Sequence, residues 1–202
     1  CIYLDEKRIG DDDVVLDSAV FPNAGTLQED ENLGRLKIAA TEGLNENGEY
    51  EALYSYGARS FSIFNRFGKR VFDSGDDFEQ IIAQDEDLKD FFNSTNDDND
   101  SFDDRSDDKG PEPEGVAIGK VGWRTYAFIG LERIGGIMVY DITFPRFSYF
   151  VDYFNNRDFS VDVCNERDAD GDCETGEGQA NADALDLGPE GLVFIPAQDS
   201  PT

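Results

Sequence analysis

An acidic run near the C-terminus has the spacing of a calcium-binding loop. Calcium loops place oxygen ligands at positions 1, 3, 5, 7, 9 and 12, with glycine at position 6 for the sharp turn. Counted from Glu166, every ligand position holds a carboxylate and Gly171 is the sixth residue. The predicted ligands are Glu166, Asp168, Asp170, Asp172, Glu174 and Glu177. Position 1 departs from the usual aspartate and no flanking helix is evident, so the pattern predicts the loop alone; a solvated acidic turn is the alternative.

A weaker version of this spacing surrounds Gly48. The oxygen-bearing side chains that alternate there are Asn45, Asn47, Glu49 and Glu51. Neutral asparagines lower the affinity expected for a cation, and a simple turn explains the same residues.

A third group of charged residues lies where strands are predicted to begin and end. Carboxylates and arginines that converge at the mouth of a channel bind a metal ion together with a phosphate, as phosphoesterases require. The candidates for this chemistry are Glu112, Glu114, Glu132, Arg133 and Glu190. The structural alternative is a set of Arg–Glu pairs that fasten the strands together. The sequence contains no serine nucleophile elbow, phosphate-binding glycine loop or dinucleotide fingerprint.

The overall charge limits the partners. The 202 residues include 45 acidic and 17 basic side chains and no histidine, which gives a net charge of −28. Nucleic acids and anionic membrane surfaces need a basic face, so neither is an expected partner. Without histidine there is no imidazole base and no ordinary zinc site. Calcium, cationic proteins or a mineral surface are the expected partners, and the 12% aromatic content favours a folded core over disorder.

Cysteines and sequons indicate an exported protein. Cys164 and Cys173 flank the acidic run, which predicts a local disulfide, and Cys1 is then left with a partner outside the chain or none; three free thiols are the alternative. Asn93 and Asn99 begin glycosylation sequons in a polar stretch. The chain shows no apolar run long enough to span a membrane and opens with no signal peptide.

A repeat predicts the fold. Pro113–Ile118 is echoed by Pro189–Phe194, and Phe61–Asn65 by Ile137–Asp141, each time at an offset of 76 residues. Repeated units of a few short strands are typical of a β-propeller, whose blades are four-stranded sheets. The sequence therefore predicts an all-β propeller fragment, with one complete four-strand blade, parts of its neighbours and acidic loop insertions.

The predicted segments form part of one propeller domain spanning residues 1–202. Alternating apolar residues predict strands, and helical spacing predicts a helix over Asp76–Asp90. The final strand is expected at Leu192–Ile195. The segments are a partial blade at 1–75, the helix and an acidic insertion at 76–112, the complete blade at 113–155, the acidic calcium-loop insertion at 156–187, and the start of the next blade at 188–202.

Several longer motifs resemble the choice-of-anchor I domain family, from roughly residue 20 to the end of the chain. They are Asn32–Lys37, Tyr56–Ile63, Phe72–Glu79, Arg105–Gly115, Tyr126–Asp141, Asn156–Phe159 and Leu187–Gly191. The family includes mesenchyme-specific cell-surface glycoproteins of biomineralising animals and bacterial secreted proteins labelled alkaline phosphatase-like. The resemblance implies an extracellular β-propeller of which this chain covers the later part, and it carries over no catalytic residue.

Together these observations predict an extracellular, calcium-binding scaffold of a cell-surface or matrix glycoprotein. Its partners would be calcium ions, extracellular proteins or glycans, and further chains of the same assembly. A calcium-dependent phosphoesterase that acts in the propeller channel is the alternative.

Overall fold

The computed structural model describes residues 5–167 and 180–200. The described residues form an all-β structure with few helices, built from three antiparallel sheets. The strands are β1 Glu6–Arg8, β2 Lys37–Ala39, β3 Ser62–Phe64, β4 Arg70–Asp73, β5 Pro113–Val121, β6 Arg124–Leu131, β7 Ile137–Asp141 and β8 Tyr149–Phe154. The helices are α1 Ala24–Leu27 and α2 Asp77–Gln84, with a π-helical turn at Asp30–Gly34 and 3-10 turns at Lys89–Phe91, Pro145–Phe147 and Ala182–Ala184.

The chain forms two compact units, of which the first comprises Cys1–Ala58 and Ser106–Lys109. Its antiparallel pair β1–β2 aligns Lys7 with Ile38. Its core consists of Ile9, Val14, Leu16, Ile38 and Tyr50. The Gln28 side chain donates hydrogen bonds to the carbonyls of Ile9 and Val14, both at 2.9 Å. These bonds fasten the loop after β1 over the core.

The second unit comprises Arg59–Arg105 and Gly110–Thr202, and its main element is a four-stranded antiparallel sheet. The strand order is β5-β6-β7-β8, so each strand pairs with the next one along the chain. All four strands predicted between residues 113 and 155 are present. Gly122, with φ +62°, makes the tight turn between β5 and β6, a conformation that glycine adopts without strain.

One face of this sheet packs against α2. Phe78 and Ile82 of the helix are fully buried against Ile129, Met138 and Tyr140 of β6 and β7, which point to the same face because their strands pair in register. Phe61, which directly precedes β3, and Phe72 of β4 pack against the same core. The aromatic rings of Phe61 and Tyr140 meet edge to face, with centroids 4.9 Å apart.

The helix is shorter than predicted. It ends at Gln84, whereas the apolar spacing predicted helix as far as Asp90. Asp85 has extended backbone angles, and its side chain accepts hydrogen bonds from the amides of Asp87 and Leu88 at 2.9 and 3.1 Å. An aspartate that bonds to the following amides offers the backbone an alternative to the helix.

The strand predicted at Leu192–Ile195 is not formed, and residues 181–200 contain no strand. This segment instead lies across the other face of β5 and β6. The Phe194 ring stacks on Phe128 at 5.7 Å between centroids. Side chains added at Gly115 and Gly130 would come within 2.7 Å of the Glu190 carbonyl and 2.6 Å of the Pro189 carbonyl. The glycines therefore permit close approach of one backbone to another.

We expect Gly130→Ala to loosen the 188–195 segment and to lower the free energy of unfolding by about 1–3 kcal/mol, because the added methyl group collides with the Pro189 carbonyl. The matched control is Gly25→Ala in α1, where nothing lies within 4 Å of the new methyl group. The control should be neutral or slightly stabilising, since alanine favours a helix over glycine. Urea denaturation measures both, and equal effects at the two sites would contradict the packing described here.

Candidate metal centre

The site begins at Glu112, the residue just before β5. Its side chain is buried, and its backbone has φ +47°, an uncommon value for a residue other than glycine. The amide of Glu132, which follows β6, donates a hydrogen bond to the Glu112 carbonyl at 2.9 Å. The pairing of Pro113 with Leu131 continues this contact into the sheet. Strand pairing thus places the two glutamates side by side although they are distant in sequence.

Glu114 completes a group of three carboxylates. The regular register between β5 and β6 is interrupted between Pro113 and Val116, at a bulge that contains Glu114. Bulges commonly re-aim a side chain. One carboxylate oxygen from each of Glu112, Glu114 and Glu132 lies within 4.8 Å of the other two. Glu112 is buried, Glu132 is half-buried and Glu114 is exposed, so the group opens to solvent on one side.

Two arginines neutralise part of this charge. Arg105 Nη2 lies 2.7 Å and Arg133 Nε 3.1 Å from Glu112 Oε1. Arg133 Nη2 also lies 3.3 Å from Glu132 Oε1. A buried carboxylate is costly unless it is paired with opposite charge, and these guanidinium groups supply that charge. They also leave the three carboxylates with a net negative charge when all are ionised.

The surroundings raise the pKa of Glu132 from 4.5 to about 7. Burial is the largest cause; the Arg133 guanidinium opposes it, and a hydrogen bond with Glu114 and the charges of Glu114 and Glu112 raise the pKa further. Two carboxylates in contact hold a proton between them because both cannot ionise freely. The group therefore carries its full negative charge only above neutral pH, or when a cation replaces the proton.

The donor set fits a hard divalent cation. Calcium takes six to eight oxygen ligands at about 2.3–2.6 Å, so two ligands of one ion are at most about 5 Å apart. The separations of up to 4.8 Å between the three oxygens satisfy this limit. Carboxylates bind calcium in mono- or bidentate fashion, and backbone carbonyls and water complete such sites. Among the described residues this is the one group of three or more acidic or cysteine side chains with metal-ligand spacing.

One predicted member of the charged group, Glu190, lies apart from the others. Glu190 is exposed, and its carbonyl rather than its carboxylate approaches β5 at Gly115. Arg59 belongs to a different ion pair, with Glu79 at 2.6 Å. The structure thus brings together four of the five residues proposed for phosphoester chemistry: Glu112, Glu114, Glu132 and Arg133.

The predicted loop 166–177 falls mainly outside the described residues, which include only Glu166 and Arg167. Glu166 is exposed, and Arg167 pairs with Asp162 at 2.9 Å. The loop ligands outside the described residues are Asp168, Asp170, Asp172, Glu174 and Glu177. Cys164 is disulfide-bonded, and both Cys1 and Cys173 lie outside the described residues, so its pairing with Cys173 stays a prediction.

The segment around Gly48 has the geometry of a simple turn. The Asn45 side-chain oxygen accepts hydrogen bonds from the amides of Asn47 and Glu49 at 2.9 and 3.0 Å. Its amide group donates to Asp17 and Glu49. The oxygen that calcium would need is already used by the backbone, so the structure favours the turn over a site formed by Asn45, Asn47, Glu49 and Glu51.

The two sequon asparagines have structural roles. Asn93 is completely buried, and its amide group donates to Glu79 at 2.7 Å. The Asn99 amide group donates to the Val161 carbonyl at 2.6 Å, while its oxygen accepts from Arg157 at 2.8 Å. A glycan on either nitrogen would have to displace these contacts, so this fold argues against the predicted glycosylation.

Arg157 is a buried cation that was not among the site residues predicted from the sequence. Its guanidinium donates to the carbonyls of Thr95, Arg133 and Asp98 and to the Asn99 side chain. Burial lowers its pKa to about 10. The one sequence feature that could have indicated its importance is its position in the Asn156–Phe159 motif. Arg157 thereby links the acidic insertion to the backbone of Arg133, whose side chain contacts Glu112 and Glu132. These bonds help to position Arg133.

Comparison with known proteins identifies the family. A family model for the choice-of-anchor I domain matches residues 2–145, and the chain belongs to that family. The match includes the candidate metal centre and ends shortly after β7. Gigasin-3a from Magallana gigas is 36% identical over 118 residues, which is 57% of this chain and 42% of that protein. The chain thus spans less than half of the relative's length. No solved structure matches the chain, and no helix in the described residues is long and apolar enough to cross a membrane.

Because the folded-state pKa of Glu132 is raised, the folded protein binds more protons than the unfolded chain between about pH 4.5 and 7. The stability that protonated Glu132 contributes is fully present below its unfolded-state pKa of 4.5 and is lost as the pH rises through its folded-state pKa of about 7. In a chelator, we expect the unfolding free energy of the wild type to fall across this window relative to Glu132→Gln, which does not titrate. Denaturant unfolding at several pH values measures the difference; parallel pH profiles would contradict the shared-proton arrangement.

Proposed function

We propose that this chain is part of an extracellular calcium-binding scaffold that supports adhesion or assembly at a cell surface or in a matrix. The observation that carries the proposal is the convergence of three carboxylate oxygens from Glu112, Glu114 and Glu132 within 4.8 Å. All three ligands come from the ends of paired strands, so an ion bound there would join β5 to the turn after β6. A cation in this position would add stiffness to the sheet rather than complete a catalytic cleft.

The scaffold is proposed to be a β-propeller. The four-stranded sheet β5–β8 has the strand order of a propeller blade, and the repeat places the 189–194 segment in register with the start of β5. In the structure this segment lies face-on against β5 and β6, as the inner part of a neighbouring blade would. Membership of the choice-of-anchor I family and the similarity to Gigasin-3a are consistent with an extracellular or surface location.

A second calcium ion is proposed for the 166–177 loop. The ligand spacing is the support, together with the disulfide at Cys164, which would restrain the loop if Cys173 is its partner. Calcium at both sites would offset part of the charge of −28 and reduce the repulsion that opposes a compact state. Protein or glycan partners would then meet a rigid acidic surface.

One observation favours a second function, the calcium-dependent phosphoesterase. Arg133 and Arg105 lie beside the carboxylate group, and guanidinium groups are suited to binding phosphate oxygens. Both arginines already contact Glu112, however, and a phosphate would compete with that buried carboxylate. The scaffold therefore fits the contacts better than the enzyme does.

Calcium calorimetry on the full chain tests the proposal, with three variants. We expect Glu114→Gln/Glu132→Gln to weaken one class of site by about tenfold or more, since it removes two of three charged ligands. Asp168→Ala/Asp170→Ala should remove the other class. The matched control is Asp12→Asn/Glu31→Gln, which removes two exposed carboxylates of the first unit that belong to neither proposed site and should leave binding unchanged.

The outcomes separate the two functions. Unchanged calcium binding in the Glu114/Glu132 variant would overturn the site at the strand ends. Calcium-dependent hydrolysis of a chromogenic phosphomonoester that is lost in Glu114→Gln would establish the enzyme instead. Calcium binding without hydrolysis, lost in the two site variants and kept in the control, would support the scaffold.

A further inference from the structure

One surface of the second unit, separate from the candidate metal centre, combines exposed aromatic rings with basic side chains. We call it the aromatic-basic surface; it consists of Phe64, Arg66, Phe67, Lys69 and Arg70 of the β3–β4 hairpin and Phe144, Arg146 and Phe147 after β7. The four phenylalanine side chains are 59–79% exposed. Three of them, Phe64, Phe144 and Phe147, line an open and mainly apolar cavity of about 430 Å³, together with Arg146. Contiguous exposed apolar surface of this kind marks an interaction site.

The charge of this surface is opposite to that of the chain. Acidic side chains outnumber basic ones by 45 to 17, yet Arg66, Lys69 and Arg146 are exposed and have no carboxylate within 4.0 Å among the described residues. Arg66 lies over the Phe67 ring instead, at 4.6 Å from its centroid. Cations left without partners in so acidic a chain are available to a negatively charged ligand.

Cavity and charge together define the ligand. An apolar cavity takes an aliphatic or aromatic side chain, and the surrounding cations select negative charges that flank it. At physiological ionic strength charges more than about 8 Å apart are largely screened, which weakens the net repulsion between acidic molecules more than it weakens pairing between charges in contact. The expected ligand is an acidic peptide segment with one exposed aromatic residue.

The chain itself carries such a segment. Phe102 is 61% exposed and stands in the acidic insertion between Asp97 and Asp104. Within this stretch the exposed aspartates include Asp97, Asp100, Asp103 and Asp104. The only ring near Phe102 in the described residues is Phe92, at 6.3 Å between centroids. A large apolar side chain held in water by acidic neighbours is the complement of a basic apolar cavity.

We propose that the aromatic-basic surface binds the 97–104 segment of a second copy of this chain, with Phe102 in the cavity and the aspartates beside Arg66, Lys69 and Arg146. The two surfaces differ, so each copy offers one donor segment and one acceptor surface. Such heterologous contacts extend into rings or open chains rather than stopping at a dimer. This self-assembly does not depend on the calcium sites.

Sedimentation velocity over a concentration series, in a chelator that prevents calcium bridging, tests the proposal. We expect the wild type to form dimers and larger species that dissociate as salt is added. Phe102→Ala and Arg146→Glu should each weaken association by about tenfold or more, because they remove the apolar anchor or reverse a central charge. The matched control, Lys120→Glu on β5, reverses another exposed cation that has no ion-pair partner within residues 5–167 and 180–200, and should associate as the wild type does.

A mixture of the two variants gives the sharpest result. Arg146→Glu keeps its donor segment and Phe102→Ala keeps its acceptor surface, so the mixture should form a dimer and nothing larger. Thermal unfolding checks that each variant is folded; the substituted side chains are exposed, so its midpoint should not change. A wild type that stays monomeric, an equal loss in Lys120→Glu, or a mixture without the dimer would each overturn the proposal. Binding of lipid vesicles by a monomeric wild type would assign the surface to membranes and overturn it as well.

Discussion

The arrangement of the site depends on the ion pairs that the buried carboxylate of Glu112 forms with two arginines. The Glu112 side chain is 2% exposed, and guanidinium groups of Arg105 and Arg133 approach it from two different segments. An ionised carboxylate is not stable in a protein interior without such partners, and removing one partner of a buried pair costs about 3–5 kcal/mol. The ion pairs therefore hold the end of the acidic insertion, the start of β5 and the turn after β6 in one place. Glu114 and Glu132 are positioned as a consequence.

The same principle explains how so acidic a chain folds. The second unit places cations beneath its acidic surface, where they also use their hydrogen-bond donors. Arg157 satisfies three carbonyls and an asparagine side chain, and Arg59 joins Glu79. Negative charge that these pairs do not neutralise stays at the surface, where a divalent cation can bind it. The proposed cation binding would thus compensate the same excess of negative charge that the buried ion pairs compensate on folding.

The sequence was informative where local patterns decide structure. The strands of β5–β8 follow from alternating apolar residues and the glycine turn at Gly122, and the sheet contains the four strands that were predicted between residues 113 and 155. Convergence of Glu112 and Glu132 was suggested by their places at strand ends, but only the pairing of β5 with β6 brings them together. The loop spacing at 166–177 remains a prediction from sequence alone.

The remaining features were decided by local hydrogen bonds that compete with a pattern, or by tertiary contacts that no local pattern contains. Asp85 ends α2 early through its own hydrogen bonds, although the apolar spacing continues. The burial of Asn93 and Arg157 follows from packing of the acidic insertion, which composition alone marks as a polar surface loop. The Leu192–Ile195 segment has a strand-like sequence, but it packs on the face of β5 and β6 rather than beside a strand edge, so its backbone is not placed for strand pairing.

The most direct test of the proposed calcium site is a crystal structure of the protein grown with calcium, with an anomalous difference map collected at a wavelength where calcium scatters anomalously. We expect a peak between the carboxylates of Glu112, Glu114 and Glu132, at about 2.3–2.6 Å from the nearest oxygens. Density for water alone at that position, with anomalous peaks elsewhere in the chain or none, would contradict it.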